Sequence, residues 1–274
     1  MTTLNKIRNL ILDMDGVLWR GDTPMPGLEA FFETLAELKI SFVLATNNAS
    51  KSPESYEEKF AGFGVTVKSY QVLTSAEVTA TYLSQLYPPK SNAFVVGGQG
   101  IAVALTRHGF NVLSIDEVIV GSTASCVVVG FGRDITYDAF AAGTILINKG
   151  AQFVGTNPDV TFPSEWGNLP GAGSFIALIQ TATGVEPIII GKPGPIIFQD
   201  ALSRLGGTGE NTAMVGDRLS TDIAGGQAAG MKTILLLSGI SSRDDLAQAN
   251  GLQPDFVFED ISDLARNLRM GNGR

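Results

Sequence analysis

The chain has 274 residues, 44% of them hydrophobic, with 32 glycines and 12 prolines spread along its length and a formal net charge of −8. Such a composition describes a globular protein with ample core, long enough for one large domain or two modest ones. The excess of acidic over basic residues, with no cluster of Lys or Arg, argues against nucleic acid and anionic membranes as partners.

Lys6 and Arg8 precede an apolar run of only a few residues that stops at Asp13, too short for a signal peptide. No later run approaches the ~18 apolar residues of a membrane helix, so the expectation is a cytoplasmic protein. Short, continuous apolar runs then recur along the chain. RNLILDM, ISFVLATN, NAFVVGG, SCVVVGF, AQFVGTN, PIIIGK, TAMVGD and KTILLLSG are each predicted as buried strands, continuous rather than alternating. Between them lie helix-periodic segments such as LEAFFETLAELK, PESYEEKFAGF, PIIFQDALSRLG and SDLARNL. Ser52-Pro53-Glu54 carries an N-cap, a proline at the first helical position and an early acid, and Gly62 and Gly64 close that helix. Strand followed by helix, repeated, predicts an α/β fold with parallel sheets.

Three isolated features read as structure rather than chemistry. Cys126 lies within SCVVVG as a core thiol, and its solitude excludes an internal disulfide or a Cys-rich metal site. His108 stands beside a helix-stopping glycine, and a single histidine leaves little from which to build a serine-hydrolase triad or a His-ligated zinc centre. VVGGQGIAVAL lacks the third glycine of a dinucleotide loop, because Val103 occupies that place. Gly191-Lys192 likewise lacks the upstream glycine of a P-loop.

In open parallel sheets, ligands bind beyond the carboxyl ends of the strands. The residues there are Asp13 and Asp15, Thr46-Asn47-Asn48, Gly191-Lys192-Pro193 and Gly216-Asp217-Arg218, with Asp222 following. Several carboxylates on one rim call for a cation. Oxygen donors without histidine or thiol favour a hard ion, Mg²⁺ above all when a phosphate is present. Lys192 adds fixed positive charge, and Thr46 adds a donor, which together suit an anionic phosphoryl group. A carboxylate can attack phosphorus while a second carboxyl protonates the leaving oxygen. Asp13 and Asp15 fill those two places if both point the same way from an extended strand, with Gly16 turning the chain beyond them.

Asp13-Met14-Asp15-Gly16-Val17, Thr46-Asn47, Lys192 and Gly216-Asp217-Arg218-Leu219-Ser220-Thr221-Asp222 resemble the four ordered motifs of the haloacid dehalogenase-like (HAD) superfamily. The likeness runs the full length. GTNPDVTFPSEWGNLPGAGSFIALIQTATG and IIIGKPGPIIFQDAL further resemble the NagD-type, nitrophenylphosphatase branch. The resemblance implies Asp13 as nucleophile and Asp15 as general acid/base. It implies Mg²⁺ held by Asp13, the Asp15 main-chain carbonyl and Asp217, with Asp222 in support, and a phosphoryl group bound by Thr46, Asn47 and Lys192. It also implies a Rossmann-like core with an inserted α/β cap, and a homodimer through that cap.

The second aspartate favours a phosphatase over a dehalogenase, since a halide leaves without a proton. The interval from Asp15 to Thr46 has room for one helix and one strand, whereas 145 positions separate Asn47 from Lys192. The insertion is therefore expected after the second motif, as a cap over residues 78–184, with the core at 1–77 and 185–274. This placement argues against phosphomutases of the superfamily. The Gly- and Pro-rich stretch 155–173 is expected as a cap loop contacting the leaving group, ahead of a helix at 174–183, with Asn157, Asp159 and Trp166 as its residues to test. The expected activity is Mg²⁺-dependent hydrolysis of a small phosphorylated metabolite: a sugar phosphate, a nucleotide, phosphoglycolate or p-nitrophenyl phosphate. A phosphotransferase and a phospho-accepting signalling module are the alternatives.

Overall fold

The computed structural model describes residues 4–249 and 251–272, whose contacts divide the chain into two compact units. The first comprises the described residues of Met1–Thr46, Pro53–Leu73 and Ile197–Arg274; the second comprises Asn47–Ser52 and Thr74–Ile196.

The first unit is built on a six-stranded sheet in the order Phe256–Phe258, Lys232–Leu236, Thr212–Gly216, Asn9–Leu12, Ser41–Thr46, Val72–Thr74. Its inner pairings are parallel, with Leu12 opposite both Val215 and Leu44. The strands Asn9–Leu12 and Thr212–Gly216 are buried at every residue, which is why their sequence is apolar without alternation. Helix Leu28–Glu37 buries Leu28, Phe31, Phe32 and Leu35, and helix Ile261–Asn272 buries Ile261, Leu264, Ala265 and Leu268. The three- and four-residue spacing puts each set on one helix face, where each large side chain contributes roughly 1.5–3 kcal/mol by leaving water. Helix Pro53–Gly62 begins at the proline and ends at Gly62, as its sequence signals predict, and sends Tyr56 and Phe60 into the same core.

The second unit carries a five-stranded parallel sheet in the order Ile188–Ile189, Gln152–Gly155, Cys126–Val129, Asn92–Val96, Asn111–Val112. Its own core gathers Phe94, Val127, Val129, Leu146, Phe153, Ile176 and Ile179. The units meet the expected core and cap segments at different boundaries. Ile188–Ile189 pairs with Gln152–Gly155 and so falls with the second unit, as do residues 47–52.

The α/β class and the parallel sheets are as the sequence indicates. One local expectation is corrected. The stretch taken as a loop folds into an antiparallel hairpin, Thr161–Ser164 with Gly167–Pro170, and the following helix starts at Ala172 rather than at residue 174. Pro163 and Pro170 argue against a strand by composition, yet a two-stranded ribbon is all edge and tolerates them. Among the described residues, no helix is long and apolar enough to cross a membrane.

Candidate active site

In the first unit the strand ends assemble an acidic cluster. Asp13 follows Asn9–Leu12 directly, and its N–H donates to Val215 O at 2.9 Å, continuing the ladder to the neighbouring strand. Asp217 comes directly after that neighbour, Thr212–Gly216, so the parallel register sets the two acids at adjacent strand ends. Asp222 lies in the π-helical turn Leu219–Ile223, where its Oδ2 accepts the Arg218 N–H at 3.0 Å. Carboxylate oxygens of Asp13, Asp217 and Asp222 lie within 4.8 Å of one another.

Two glycines make this closeness feasible. A Cβ on Gly216 would fall 2.2 Å from Asp222 Cβ, and one on Gly239 would fall 1.9 Å from Asp217 Oδ2. The loop after Lys232–Leu236 then grips Asp217. Ile240 N–H donates to its Oδ2 at 2.7 Å, and Ser241 N–H donates to its main-chain oxygen at 3.0 Å. Ser238 Oγ donates to Gly16 O at 2.8 Å. Gly239, Ile240 and Ser241 are not among the residues expected at the site from the sequence, although the strand ending in LSG was itself predicted. A glycine and serines at a strand end were the available signal.

Burial, then the charges of Asp13 and Asp222, push the Asp217 carboxyl up to about 7. Its Oδ1 is buried and receives no hydrogen bond among the described residues. A buried oxygen left unsatisfied in a set of three carboxylates fits a hard divalent cation, which would neutralise the charge and occupy that oxygen. The donor set contains no nitrogen or sulfur, so Mg²⁺ suits it better than zinc.

Asp15 is exposed, unlike Asp13 and the intervening Met14. The strand stops at Leu12, so extended-strand alternation does not aim the two carboxylates as the sequence suggested. Their common neighbour is Tyr56, whose hydroxyl is raised by burial first and then by the charges of Asp15 and Asp13. Tyr56 also shares a side-chain hydrogen bond with Thr46, the last residue of Ser41–Thr46. Tyr56 escaped the sequence reading because, four residues before Phe60, it reads as helix core. Asp15 Oδ1 accepts the indole N–H of Trp19 at 2.8 Å.

In the second unit Asn47, Asn157, Asp159 and Lys192 form one hydrogen-bonded group. Asn47 Nδ2 donates to Asp159 Oδ2 at 3.0 Å and to Lys192 O at 2.9 Å, and Asn47 Oδ1 accepts the Lys192 N–H at 2.8 Å. Asn157 Nδ2 and Ser75 Oγ both donate to Asn47 O, at 2.9 and 2.8 Å. Lys192 is buried, and a Cβ on Gly191 would fall 2.5 Å from Asn47 Oδ1, so GKP keeps its glycine for close approach. Asn157 is buried too, and its amide is spent on Asn47 and on Thr156 Oγ1. Trp166 sits at the hairpin turn, 82% exposed, so it does not pack into this unit's core.

Cys126 is buried in its strand, and burial pushes its thiol up to about 12, so it is no nucleophile. His108 caps the helix Gln99–Arg107, its Nδ1 2.9 Å from Ala104 O and its Nε2 3.3 Å from Thr81 Oγ1.

Family models described as haloacid dehalogenase-like hydrolase and HAD-hydrolase-like match residues 10–111 and 189–264. An acid sugar phosphatase from Staphylococcus aureus is 36% identical over 265 residues, covering 97% of this chain and 99% of the relative. The crystal structure of a 4-nitrophenylphosphatase from Thermotoga maritima is 36% identical, with a TM-score of 0.88 over 96% of this chain and 98% of that one. A glycerol phosphate phosphatase from Mycobacterium tuberculosis, solved in complex with magnesium, is 30% identical, with a TM-score of 0.84 over 98% of this chain and 78% of that one.

Proposed function

The chain belongs to the haloacid dehalogenase-like hydrolase family, in the branch of NagD and the nitrophenylphosphatases, and is a phosphoric monoester hydrolase; from that premise we propose a Mg²⁺-dependent phosphatase of small phosphomonoesters that works through an aspartyl-phosphate. The observation that supports this reading is the meeting of Asp13 and Asp217, at adjacent strand ends, with Asp222 from the helical turn that follows.

Asp13 is the nucleophile. Its carboxylate oxygen bonds to phosphorus as the ester oxygen leaves, taking a proton from Asp15. Asp15, now a carboxylate, removes a proton from water, whose oxygen bonds to phosphorus and releases phosphate from Asp13. Asp13, Asp217 and the Asp15 main-chain carbonyl would hold Mg²⁺, with Asp222 supporting them. When bound, the ion supplies charge that neutralises the phosphoryl oxygens. Thr46, Asn47 and Lys192 are assigned to phosphoryl binding, with Asn157 acting through Asn47, whose main chain it holds. Residues 78–184 are assigned as the cap.

A panel of phosphometabolites with Mg²⁺, ranked by kcat/KM, tests the reading. Sugar phosphates come first, because the curated relative is an acid sugar phosphatase. Hydrolysis of none of them, or hydrolysis unaffected by EDTA, would sink it. Acceptor alcohols in the same assay separate hydrolysis from phosphotransfer, and a stable phospho-Asp13 without turnover would point to a signalling module. We further propose residence in the cytoplasm and a homodimer through residues 78–184. The family likeness supports the second; cell fractionation and light scattering test them.

A further inference from the structure

The Asp15 carboxylate is exposed, and a free aspartate at the surface samples several rotamers. Proton transfer needs one geometry, and small misplacements are costly in rate. The residue that removes this freedom is Trp19, four positions on. Its indole N–H donates to Asp15 Oδ1 at 2.8 Å. The intervening turn is closed by Gly16 N–H on Trp19 O at 2.8 Å, with Gly16 at a φ of 84°, and by Leu18 N–H on Met14 O at 2.8 Å.

The indole itself is immobilised. Trp19 is 1% exposed, stacked on Tyr56 at 6.1 Å and met edge-on by Phe60 at 5.1 Å, with Phe63 at 6.1 Å. Lys59 Nζ sits 4.5 Å from the ring centroid and is pinned by donating to Gly21 O at 2.7 Å. A cation over the ring face withdraws electron density, which makes the indole N–H a better donor.

We propose that Trp19 is a positioning residue for the reaction, an indole that sorts the two oxygens of Asp15. This rests on the reading of Asp15 as general acid/base. The indole nitrogen donates and never accepts. Oδ1 therefore stays an acceptor whether Asp15 is protonated or ionised, and the transferable proton is carried by Oδ2. The same hydrogen bond persists through both half-reactions, so the carboxyl does not turn between acting as acid and acting as base. A hydroxyl or amide partner could reverse its role between those steps; an indole cannot.

The test uses the full chain with Mg²⁺ and two substrates. An alkyl phosphate such as glycerol phosphate needs a protonated leaving group, while p-nitrophenyl phosphate needs it far less. Trp19→Phe keeps an aromatic ring in the box and deletes the N–H. The expected result is a kcat on the alkyl ester reduced about tenfold, a severalfold smaller loss on the nitrophenyl ester, and KM within about twofold on both. In an Asp15→Asn background the same substitution should cost nothing further on the alkyl ester. Should Trp19→Phe not fold, the benzothienyl analogue of tryptophan at position 19 keeps the bicyclic shape and removes only the N–H. Equal losses on the two substrates, or an undiminished loss in the Asp15→Asn background, would reduce Trp19 to core packing and overturn the proposal. If Asp15→Asn alone left alkyl ester hydrolysis intact, the acid/base reading itself would fall, a result distinct from either outcome for Trp19.

Discussion

Asn47 and Lys192, 145 positions apart, pair as if they were residues of adjacent strands: the Asn47 amide donates to Lys192 O and accepts the Lys192 N–H. A side chain thus takes the place of a backbone partner where the short strand Ile188–Ile189 has ended. Asn47→Ala would leave the Lys192 N–H and carbonyl and the Asp159 carboxylate short of a partner. The expected loss is about 2–4 kcal/mol of stability, read as a lower urea midpoint at unchanged slope. Asn47→Asp should be worse, since it exchanges the donor for a carboxylate facing Asp159.

Asp13→Asn should lower turnover of p-nitrophenyl phosphate at least roughly a thousandfold, because an amide does not replace the attacking carboxylate. The fold should survive, with a melting temperature no lower than that of the parent, since a charge has been removed from an acidic cluster. Retained turnover would end the nucleophile assignment.

The stability of the metal-free protein should depend on pH in an unusual direction. The Asp217 carboxyl rises on folding from an ordinary 3.8 to about 7, first through burial and then through its acidic neighbours. Between those values the folded state binds more protons than the unfolded one, so stability falls as pH rises, by up to ~1.4 kcal/mol per pH unit. Thermal melts from pH 4 to pH 7 in EDTA check this. Asp217→Asn should flatten the trend, and added Mg²⁺ should reverse it by binding the ionised cluster.

Gly239→Ala probes the loop that holds Asp217. The new Cβ would lie 1.9 Å from Oδ2 and displace the carboxylate from the Ile240 N–H. The activity-derived Mg²⁺ affinity is expected to fall about 10–100-fold, the range seen when support of a metal ligand is lost. An unchanged Mg²⁺ titration would mean that Asp217 does not hold the ion.

The sequence by itself determined the α/β class, most strand and helix positions, and the identities and order of Asp13, Asp15, Thr46, Asn47, Lys192, Asp217 and Asp222. Those features are local: a continuous apolar run makes a buried strand, and the residue just after it stands at the strand's end. The tertiary structure alone decided which of these residues meet. Parallel register brought Asp13 to Asp217, and the backbone after Lys232–Leu236 supplied Ile240 and Ser241 as supports. The same holds for Tyr56 beside Thr46, for the Asn47–Lys192 link, and for the aromatic box around Trp19. Each of these depends on contacts between different elements of the chain, and such contacts are set by packing and register, which leave no mark in any single segment.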